Sequence, residues 1–252
     1  MDGEKLGGGG IMTSSTVKIL ACVFMAIDHI GLCIFPDMII FRIIGRIAFP
    51  LFAFFISEGC RYTRKKGKRF LVLLLMGLAY FAFYYFYSGA VYANVFLTFA
   101  VSVLMIYLLQ FCKKKVFERL TVWRTVGFAL VYMSALAAAY ALFRFVSFDY
   151  GFKGMLLPVF ASLFDFKDIS VPKALSRLDN KYARLACFAV GLLLLSLNAN
   201  FGYWQFFCFL SLVPLLLYNG KAGNKRLKYV FYVFYPVHIL IIEGVAMLIK
   251  IL

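Results

Sequence analysis

The sequence predicts an all-α membrane protein, a polytopic bundle of transmembrane helices. Of its 252 residues, 64% are hydrophobic, and the mean hydropathy is +0.89, whereas soluble domains are nearer half apolar. Long apolar runs recur along the whole chain, and a run of about 20 apolar residues crosses the core of a bilayer as one helix. The runs therefore predict about nine spans, with eight to ten as the range, embedded in a lipid bilayer.

The apolar runs also give the order of the elements. A flexible cytoplasmic tail over residues 1–13 is expected to precede a single transmembrane domain over residues 14–252. The predicted spans lie near residues 14–35, 39–60, 70–88, 92–111, 125–145, 152–166, 185–199, 202–218 and 229–250. The sixth is short and would be tilted or half-inserted. The first is expected to be a retained helix and not a cleaved signal peptide, because Asp28 and His29 interrupt its apolar core.

The charge distribution predicts the orientation of these spans. The formal net charge is +16, and the Lys and Arg residues gather in alternate loops, which is typical of cytoplasmic loops. The basic loops cover residues 61–69, 113–124, 165–184 and 219–228, and the loops near 36–38, 88–92 and 199–202 contain no Lys or Arg. The N-terminus is thus predicted to be cytoplasmic and, with nine spans, the C-terminus external. This clustering argues against a nucleic-acid partner, although basic loops also attract anionic lipid or a phosphorylated ligand.

The six cysteines carry no recognisable chemistry. They are scattered along the chain, and none forms a Cys-x-x-Cys motif or a cluster with histidine. We expect small buried apolar residues, without a disulfide framework and without a metal site.

The two histidines are the sharpest functional candidates. His29 and His238 both lie inside membrane-length apolar runs, where an ionisable side chain marks a functional site by default. Lys18 precedes His29 by eleven positions, so the two side chains share a helix face about 16 Å apart along the axis. A neutral imidazole can take a proton from an amine or hydroxyl near pH 7, so His29 is the candidate general base. The alternative is a hydrogen-bonded packing histidine.

The first two spans form a predicted hairpin whose turn centres near residue 37. Residues at equal depth then have numbers that sum to about 75, which pairs His29 with Arg46 and Lys18 with Glu58. The pairing places Lys18 and Glu58 near the cytoplasmic edge. A second, deeper layer contains Asp28, His29, Arg42 and Arg46.

The two arginines of the second span, Arg42 and Arg46, lie four residues apart and so on one helix face. A buried arginine needs a carboxylate, a carbonyl, water or an anionic ligand, and Pro50 frees a carbonyl one turn before it. An ion pair between Arg46 and Asp28 that only locks the hairpin is one alternative. Because Asp28 and His29 point about 100° apart, Asp28 is expected to orient a neighbour while His29 faces the reactant.

Other polar residues are further candidates. His238 follows Tyr235 and Pro236 in the ninth span, where it either takes part in catalysis or caps a tyrosine or a proline-freed carbonyl. Asn94 and Asp149 lie on the predicted outer side and, with Tyr235, are candidates for binding an acceptor. A helix-cap role for Asn94 and a turn role for Asp149 are the alternatives.

Several motifs, taken together, resemble the TraX family. In the first hairpin these are Asp28-His29-Ile30-Gly31, Arg42-Ile43-Ile44-Gly45-Arg46-Ile47-Ala48-Phe49-Pro50-Leu51-Phe52 and Ser57-Glu58-Gly59. Later in the chain they are Asn94-Val95-Phe96-Leu97-Thr98, Asp149-Tyr150-Gly151 and the segment 224–238 that ends in Tyr235-Pro236-Val237-His238. The resemblance covers most of the chain in the same order, and the arginine-containing block is its most specific part.

The resemblance implies a function. TraX proteins are bacterial inner-membrane proteins named for N-acetylation of a conjugative pilin. They are similar to the acyltransferase-3 group, in which ten arbitrary residues separate a basic residue from a histidine, and Lys18 and His29 match that spacing. Arg42 and Arg46 depart from the tighter arginine pair of that group, and nothing in the sequence identifies a pilin substrate.

The resemblance therefore implies an acyltransferase-like domain that moves an acetyl group from cytoplasmic acetyl-CoA to an amine or hydroxyl of a peptide or glycan. Catalytic candidates are His29, Asp28, His238 and Arg46; candidates for the acetyl-CoA site are Lys18, Arg42, Arg61 and Glu58; candidates for the acceptor site are Asn94, Asp149 and Tyr235. His29 would act as general base or transient acyl carrier. Arg46 or His238 would stabilise the thioester oxyanion.

Two other functions stay open at this point. A proton-coupled transporter or flippase would use the buried Asp, His and Arg residues as a proton relay, although the sequence shows no duplicated half with matched broken helices. A non-enzymatic assembly factor of a conjugation or envelope system would use the same charges only to hold its fold.

Overall fold

The fold is helical, as predicted. A computed structural model describes residues 10–89, 91–197, 202–224 and 227–251. Within these ranges the only extended pairings are two isolated bridges, Met12 with Tyr218 and Ala93 with Phe148. Most of the predicted N-terminal tail, residues 1–9, and two residues of the last basic loop, Lys225 and Arg226, lie outside the described residues.

The helices follow the apolar runs of the sequence. They are α1 (Ser14–Cys33), α2 (Ile39–Gly45), α3 (Ala48–Tyr62), α4 (Lys66–Ser88), α5 (Val95–Glu118), α6 (Val122–Phe145), α7 (Gly151–Phe160), α8 (Lys173–Ser176), α9 (Lys181–Ser196), α10 (Leu212–Leu216) and α11 (Leu227–Ile251), with a 3₁₀ helix (Tyr203–Ser211) before α10. The contacts divide the chain into a terminal unit, Met1–Phe52 with Leu192–Leu252, and a central unit, Ala53–Gly191.

Five helical segments of the described chain are long and apolar enough to cross a membrane. They are Ser14–Cys33, Ile39–Tyr62, Lys66–Tyr87, Val95–Glu118 and Val122–Phe145. Shorter apolar helices follow at Gly151–Phe160, Tyr203–Leu216 and Val233–Ile249. The protein is therefore a multi-pass membrane protein, and the five long helices coincide with the first five predicted spans.

The second predicted span is interrupted. The sequence predicts one run over residues 39–60, whereas α2 ends at Gly45 and α3 begins at Ala48. Pro50 has no N–H, so the carbonyl of Arg46 loses its usual helical donor. The helix tightens at this point, because the Arg46 N–H lies 3.2 Å from the Arg42 carbonyl oxygen and 3.3 Å from that of Ile43.

In the terminal unit, α1 and α11 run parallel. Near their N-terminal ends, Lys18 Nζ lies 5.8 Å from the centre of the Phe231 ring. Further along both helices, the rings of His29 and His238 are 4.9 Å apart. These two contacts occur in the same order along both helices, so the two helices point in the same direction.

The loop before α11 is fastened to the start of α1. Met12 N–H donates to Leu217 O, and Asn219 N–H donates to Met12 O, both at 2.9 Å. Ser14 N–H donates to Lys221 O at 2.9 Å. The basic loop that contains Lys221 therefore lies at the N-terminal end of α1.

In the central unit, the short sixth predicted span lies alongside α5. Thr98 Oγ1 donates to Asp149 O at 2.9 Å, and Lys113 Nζ donates to Ser162 O at 3.0 Å. Segment 149–162 thus runs parallel to α5 between these two residues, a length of about 22 Å along the axis. This length is less than the hydrocarbon thickness of a typical bilayer, about 30 Å, and α7 itself has only 10 residues.

The eighth predicted span has an unexpected local geometry. Nine residues, Tyr203–Ser211, form a 3₁₀ helix before α10 begins. Such a helix has three residues per turn, so Gln205, Cys208 and Ser211 fall on one face, and all three are fully buried. This face packs in the terminal unit, where α2 contacts the 3₁₀ helix.

Close packing of α1 against α2 depends on a glycine. A Cβ atom at Gly45 would lie 2.2 Å from Cβ of Asp28. We expect Gly45→Ala to destabilise the protein by about 1–3 kcal/mol, because overpacking pushes the two helices apart. Thermal unfolding in detergent measures this loss.

The matched control is Gly127→Ala. A Cβ atom added at Gly127 in α6 meets nothing within 4 Å, so this variant should be neutral or slightly stabilising, since Ala favours a helix over Gly by about 0.5–1 kcal/mol. Equal melting temperatures for the two variants would contradict the close-packing argument.

Candidate functional site

The candidate site lies in the terminal unit, on two sides of α1. Asp28 and His29 are adjacent, and their side chains reach different neighbours. Asp28 lies against α2, where it meets Arg42, whereas His29 lies against α11, where it meets His238. The divergence predicted from helix periodicity is therefore present.

On the α2 side, one carboxylate faces two guanidinium groups. Asp28 Oδ1 lies 3.0 Å from Arg42 Nη1 and 3.9 Å from Arg46 Nη2. Arg46 is almost fully buried, with 6% of its surface exposed, and its Nη1 donates to Gln205 Oε1 at 3.4 Å. The three charged side chains carry one net positive charge. The predicted ion pair between Asp28 and Arg46 is thus present, but Arg42 lies closer to the carboxylate than Arg46 does.

On the α11 side, both imidazoles are oriented by the backbone. His29 Nδ1 lies 2.9 Å from Met25 O, and His238 Nδ1 lies 2.7 Å from Phe234 O. A carbonyl oxygen only accepts hydrogen bonds, so Nδ1 carries the proton in both rings. In the neutral tautomer, the lone pair is then on Nε2. Each ring can therefore act as a base through Nε2.

The two histidines differ in surroundings. His238 is buried, with 6% exposed, and its Nε2 has no hydrogen-bond partner among the described residues. Its ring stacks on Phe234 at 4.7 Å and meets Tyr235 edge-on at 5.8 Å. His29 is only partly buried, and the two imidazoles meet edge to face. His29 is therefore the more accessible base, whereas the ring of His238 is held by more neighbouring groups.

Lys18 occupies the predicted position relative to His29. Both residues face α11, since Lys18 Nζ lies over Phe231 and His29 over His238. Their helical separation is about 16 Å along the axis. A cation thus precedes the imidazole pair on one wall, at the end of α1 that the loop 217–224 covers.

Two other predicted ligands, Glu58 and Arg61, lie in the central unit and are ion-paired there. Glu58 is buried and pairs with Arg184, which also donates to Ala161 O at 3.0 Å. Arg61 pairs with Asp165 and, at 2.7 Å, with Asp179. Both predicted ligands already have partners of opposite charge, so a bound phosphate would have to compete with carboxylates for Arg61.

Asn94 and Asp149 also lie in the central unit, at the opposite end of α5 from Lys113. Asn94 caps α5, accepting from Phe96 N at 3.0 Å, and donates to Gly77 O at 2.7 Å. The Asp149 backbone bonds to Ala93 at 2.8 Å. Burial and the neighbouring Asp149 carboxylate both raise the pKa of the Tyr92 phenol. The contacts of Asn94 are those of a helix cap, whereas the Asp149 side chain lies beside Tyr92.

The sequence argument missed Gln205 as a site residue. Its side chain is fully buried and binds Arg46. The available signal was a glutamine inside the apolar run Tyr203-Trp204-Gln205-Phe206-Phe207, because uncharged polar side chains in a span also need partners. Arg184, Asp165 and Asp179 were missed as well, since they lie in a region that reads as a topology-setting basic loop.

Comparisons with known proteins identify the family. The family described as "TraX protein" matches residues 13–246, so the chain belongs to the TraX family. The uncharacterized protein RP591 of Rickettsia prowazekii (strain Madrid E) is 46% identical over 56 residues, a match that covers 22% of this chain and 22% of that protein. No solved structure matches the chain.

The Glu58–Arg184 pair should be required for folding. Only 1% of the Arg184 side chain and 6% of the Glu58 side chain are exposed. Glu58→Gln removes the compensating charge from a buried guanidinium, and we expect a loss of about 3–5 kcal/mol in stability. Denaturation in detergent, followed by tryptophan fluorescence, measures it.

Glu118→Gln provides the matched control. Glu118 forms an exposed pair with Lys115 at 2.8 Å, and exposed pairs contribute little to stability. The same substitution should therefore leave the melting temperature unchanged here. A Glu58→Gln protein as stable as the Glu118→Gln protein would show that the buried pair is not needed.

Proposed function

We propose that this protein transfers an acetyl group from acetyl-CoA to an amine or hydroxyl of a peptide or glycan acceptor in the bacterial cytoplasmic membrane. The observation that carries the proposal is the imidazole pair, whose Nδ1–H groups are held by backbone carbonyls so that each Nε2 is available as a base. Membership of the TraX family supports it. The proposal includes the cytoplasmic N-terminus and the nine spans.

His29 is the proposed general base. Its Nε2 takes the proton of the acceptor, whose nitrogen or oxygen forms a bond to the thioester carbonyl carbon. The carbon–sulfur bond then breaks, and the imidazolium returns its Nε2 proton to the CoA thiolate. His238 packs against the His29 ring at 4.9 Å and limits its rotation. Tyr235, which contacts His238, is a proposed acceptor-binding residue.

Lys18 is the proposed anchor for the donor. A phosphorylated head group cannot enter the hydrocarbon region but can bind a cation near its edge. From there the extended pantetheine arm would follow α1 toward His29, over the axial distance of about 16 Å that separates the two residues. Arg42 is partly buried and pairs with Asp28, so we assign it first to holding the hairpin together and only second to cofactor binding. Its predicted cofactor role remains a proposal, as do those of Arg61 and Glu58.

Donor binding can be measured directly. Purified protein in nanodiscs should bind acetyl-CoA and CoA in calorimetry. Lys18→Ala should lower the affinities for acetyl-CoA and for CoA by about tenfold or more, since one charge-assisted contact with the ligand is lost. His29→Ala should leave CoA affinity nearly unchanged. Lys115→Ala, at an exposed position, is the control, and a folded wild type that binds neither ligand at millimolar concentration would exclude the proposed activity.

The base role of His29 can be separated from its packing role. His29→Asn retains an N–H that can donate to Met25 O but has no group at Nε2, whereas His29→Gln places an amide near Nε2 that is not basic. Both should fold, and both should lose about 10²–10⁴-fold in acetyl transfer. Incorporation of radiolabelled acetyl groups into envelope fractions measures this.

A non-enzymatic assembly factor makes the opposite prediction. In that case His29→Asn, with its backbone hydrogen bond kept, would support cellular function as well as the wild type. Full activity of both variants in the same assay would reject His29 as the base.

A further inference from the structure

The α5–α6 tip, residues 114–124, is an exposed turn of the central unit that is both basic and apolar. α5 ends at Glu118 and α6 begins at Val122, so only residues 119–121 join the two helices. Leu120, Val122 and Trp123 expose 68%, 77% and 86% of their surface. A group of neighbouring large apolar side chains that is this exposed marks a contact surface.

Basic side chains surround the apolar residues of the tip. Lys115 pairs with Glu118 at 2.8 Å, and Lys114 and Arg124 lie close enough to act on the same carboxylate. None of Lys114, Arg119 and Arg124 takes part in an ion pair among the described residues. Four basic groups and one carboxylate leave the tip with three net positive charges. The tip therefore attracts an anion.

Helix length places the tip at the level of the lipid head groups. α5 and α6 each have 24 residues, which is about 36 Å of helix, whereas the hydrocarbon core of a bilayer is about 30 Å thick. Both helices are long and apolar enough to cross a membrane, so their ends extend into the head-group layer. Tryptophan is enriched at this level, because its ring is apolar and its N–H is polar.

The surroundings of α6 make lipid the neighbour of the tip. In the most apolar part of α6 only 6% of the residues are buried inside the protein, against 56% in α5. α6 packs against α5 where the rings of Phe111 and Phe128 meet at 6.1 Å, and most of its other side chains are exposed. In a bilayer such a surface is covered by acyl chains, so lipid molecules line α6 up to Trp123.

Another basic loop, residues 61–69, lacks this combination of features. Arg64 and Lys68 are exposed there, but the exposed aromatic side chain of this loop already has a cation on its face. That side chain is Tyr62, and Lys167 Nζ lies 4.3 Å from the centre of its ring. The α5–α6 tip thus differs from the loop 61–69 by an exposed apolar group beside its basic residues.

We propose that the α5–α6 tip binds the head group of an anionic phospholipid. The guanidinium groups of Arg119 and Arg124 hold the phosphate by charge-assisted hydrogen bonds, and Trp123 packs between the head groups and the first carbons of the acyl chains. A zwitterionic phospholipid carries a cation beside its phosphate, so the basic tip selects lipids with a net negative charge. This contact anchors the end of a helix that the protein itself buries little, and it is independent of acetyl transfer.

Trp123 itself reports which lipid lies beside it. The chain has two tryptophans, so Trp204→Phe leaves Trp123 as the only one. Nanodiscs contain phosphatidylglycerol and phosphatidylcholine in equal amounts, with bromine on the acyl chains of one lipid or of the other. Bromine quenches tryptophan fluorescence only at short range, so the ratio of the two quenching values measures the lipid preference at the tip.

We expect phosphatidylglycerol to be preferred over phosphatidylcholine by about fivefold or more in the Trp204→Phe background. Adding Arg119→Gln and Arg124→Gln together should bring the ratio close to one. The matched control is Arg64→Gln with Lys68→Gln, which removes the same two charges from the loop 61–69 and should keep the preference. All four positions are exposed or partly exposed, so equal melting temperatures are expected and confirm that folding is intact.

Three results would overturn the proposal. A ratio near one in the Trp204→Phe protein would mean that the tip does not select anionic lipid. An equal loss of preference in both double variants would mean that the total charge of the protein, and not the tip, attracts the lipid. No quenching by either lipid would mean that protein, such as a second copy of this chain, covers the tip. None of these results depends on whether the protein binds acetyl-CoA.

Discussion

The carboxylate of Asp28, placed between Arg42 and Arg46, is the contact on which the terminal unit depends. In a bilayer, water does not stabilise a buried guanidinium, so the protein must provide the opposite charge. This pairing fixes the rotation of α1 about its own axis. Because the next side chain points about 100° away, the same contact turns His29 toward α11. The ion pair is therefore structural, and it also positions the candidate base and, through Arg46, the amide of Gln205.

Local periodicity made this half of the site predictable. The common face of Lys18 and His29, the divergence of Asp28 from His29 and the pairing of Asp28 with the arginines all follow from helix geometry and one short turn. The structure refines the hairpin in two respects, because the second span is interrupted between α2 and α3 and Arg42 lies closer to Asp28 than Arg46 does.

The remaining parts of the site lie beyond local reasoning. Arg184 meets Glu58 across 126 sequence positions, and Arg61 meets Asp165 and Asp179 across 104 and 118. No periodicity relates residues at such separations, so the charges of the loop 165–184 read only as signals for topology. The 3₁₀ geometry was also hidden, because the run 202–218 has the composition of an ordinary apolar helix. Gln205 was overlooked for that reason, since its face depends on three residues per turn.

The parallel packing of α1 against α11 has a consequence for biogenesis. A ribosome makes α1 well before α11, so the imidazole of His29 is present before His238 has been synthesised. Until α11 is inserted, the His29 ring retains its contact with Met25 O in α1 but lacks the contact with His238. A nascent or prematurely terminated chain would thus hold Lys18, Asp28 and His29 in place and still lack the second ring. The histidine pair forms only when synthesis has reached α11.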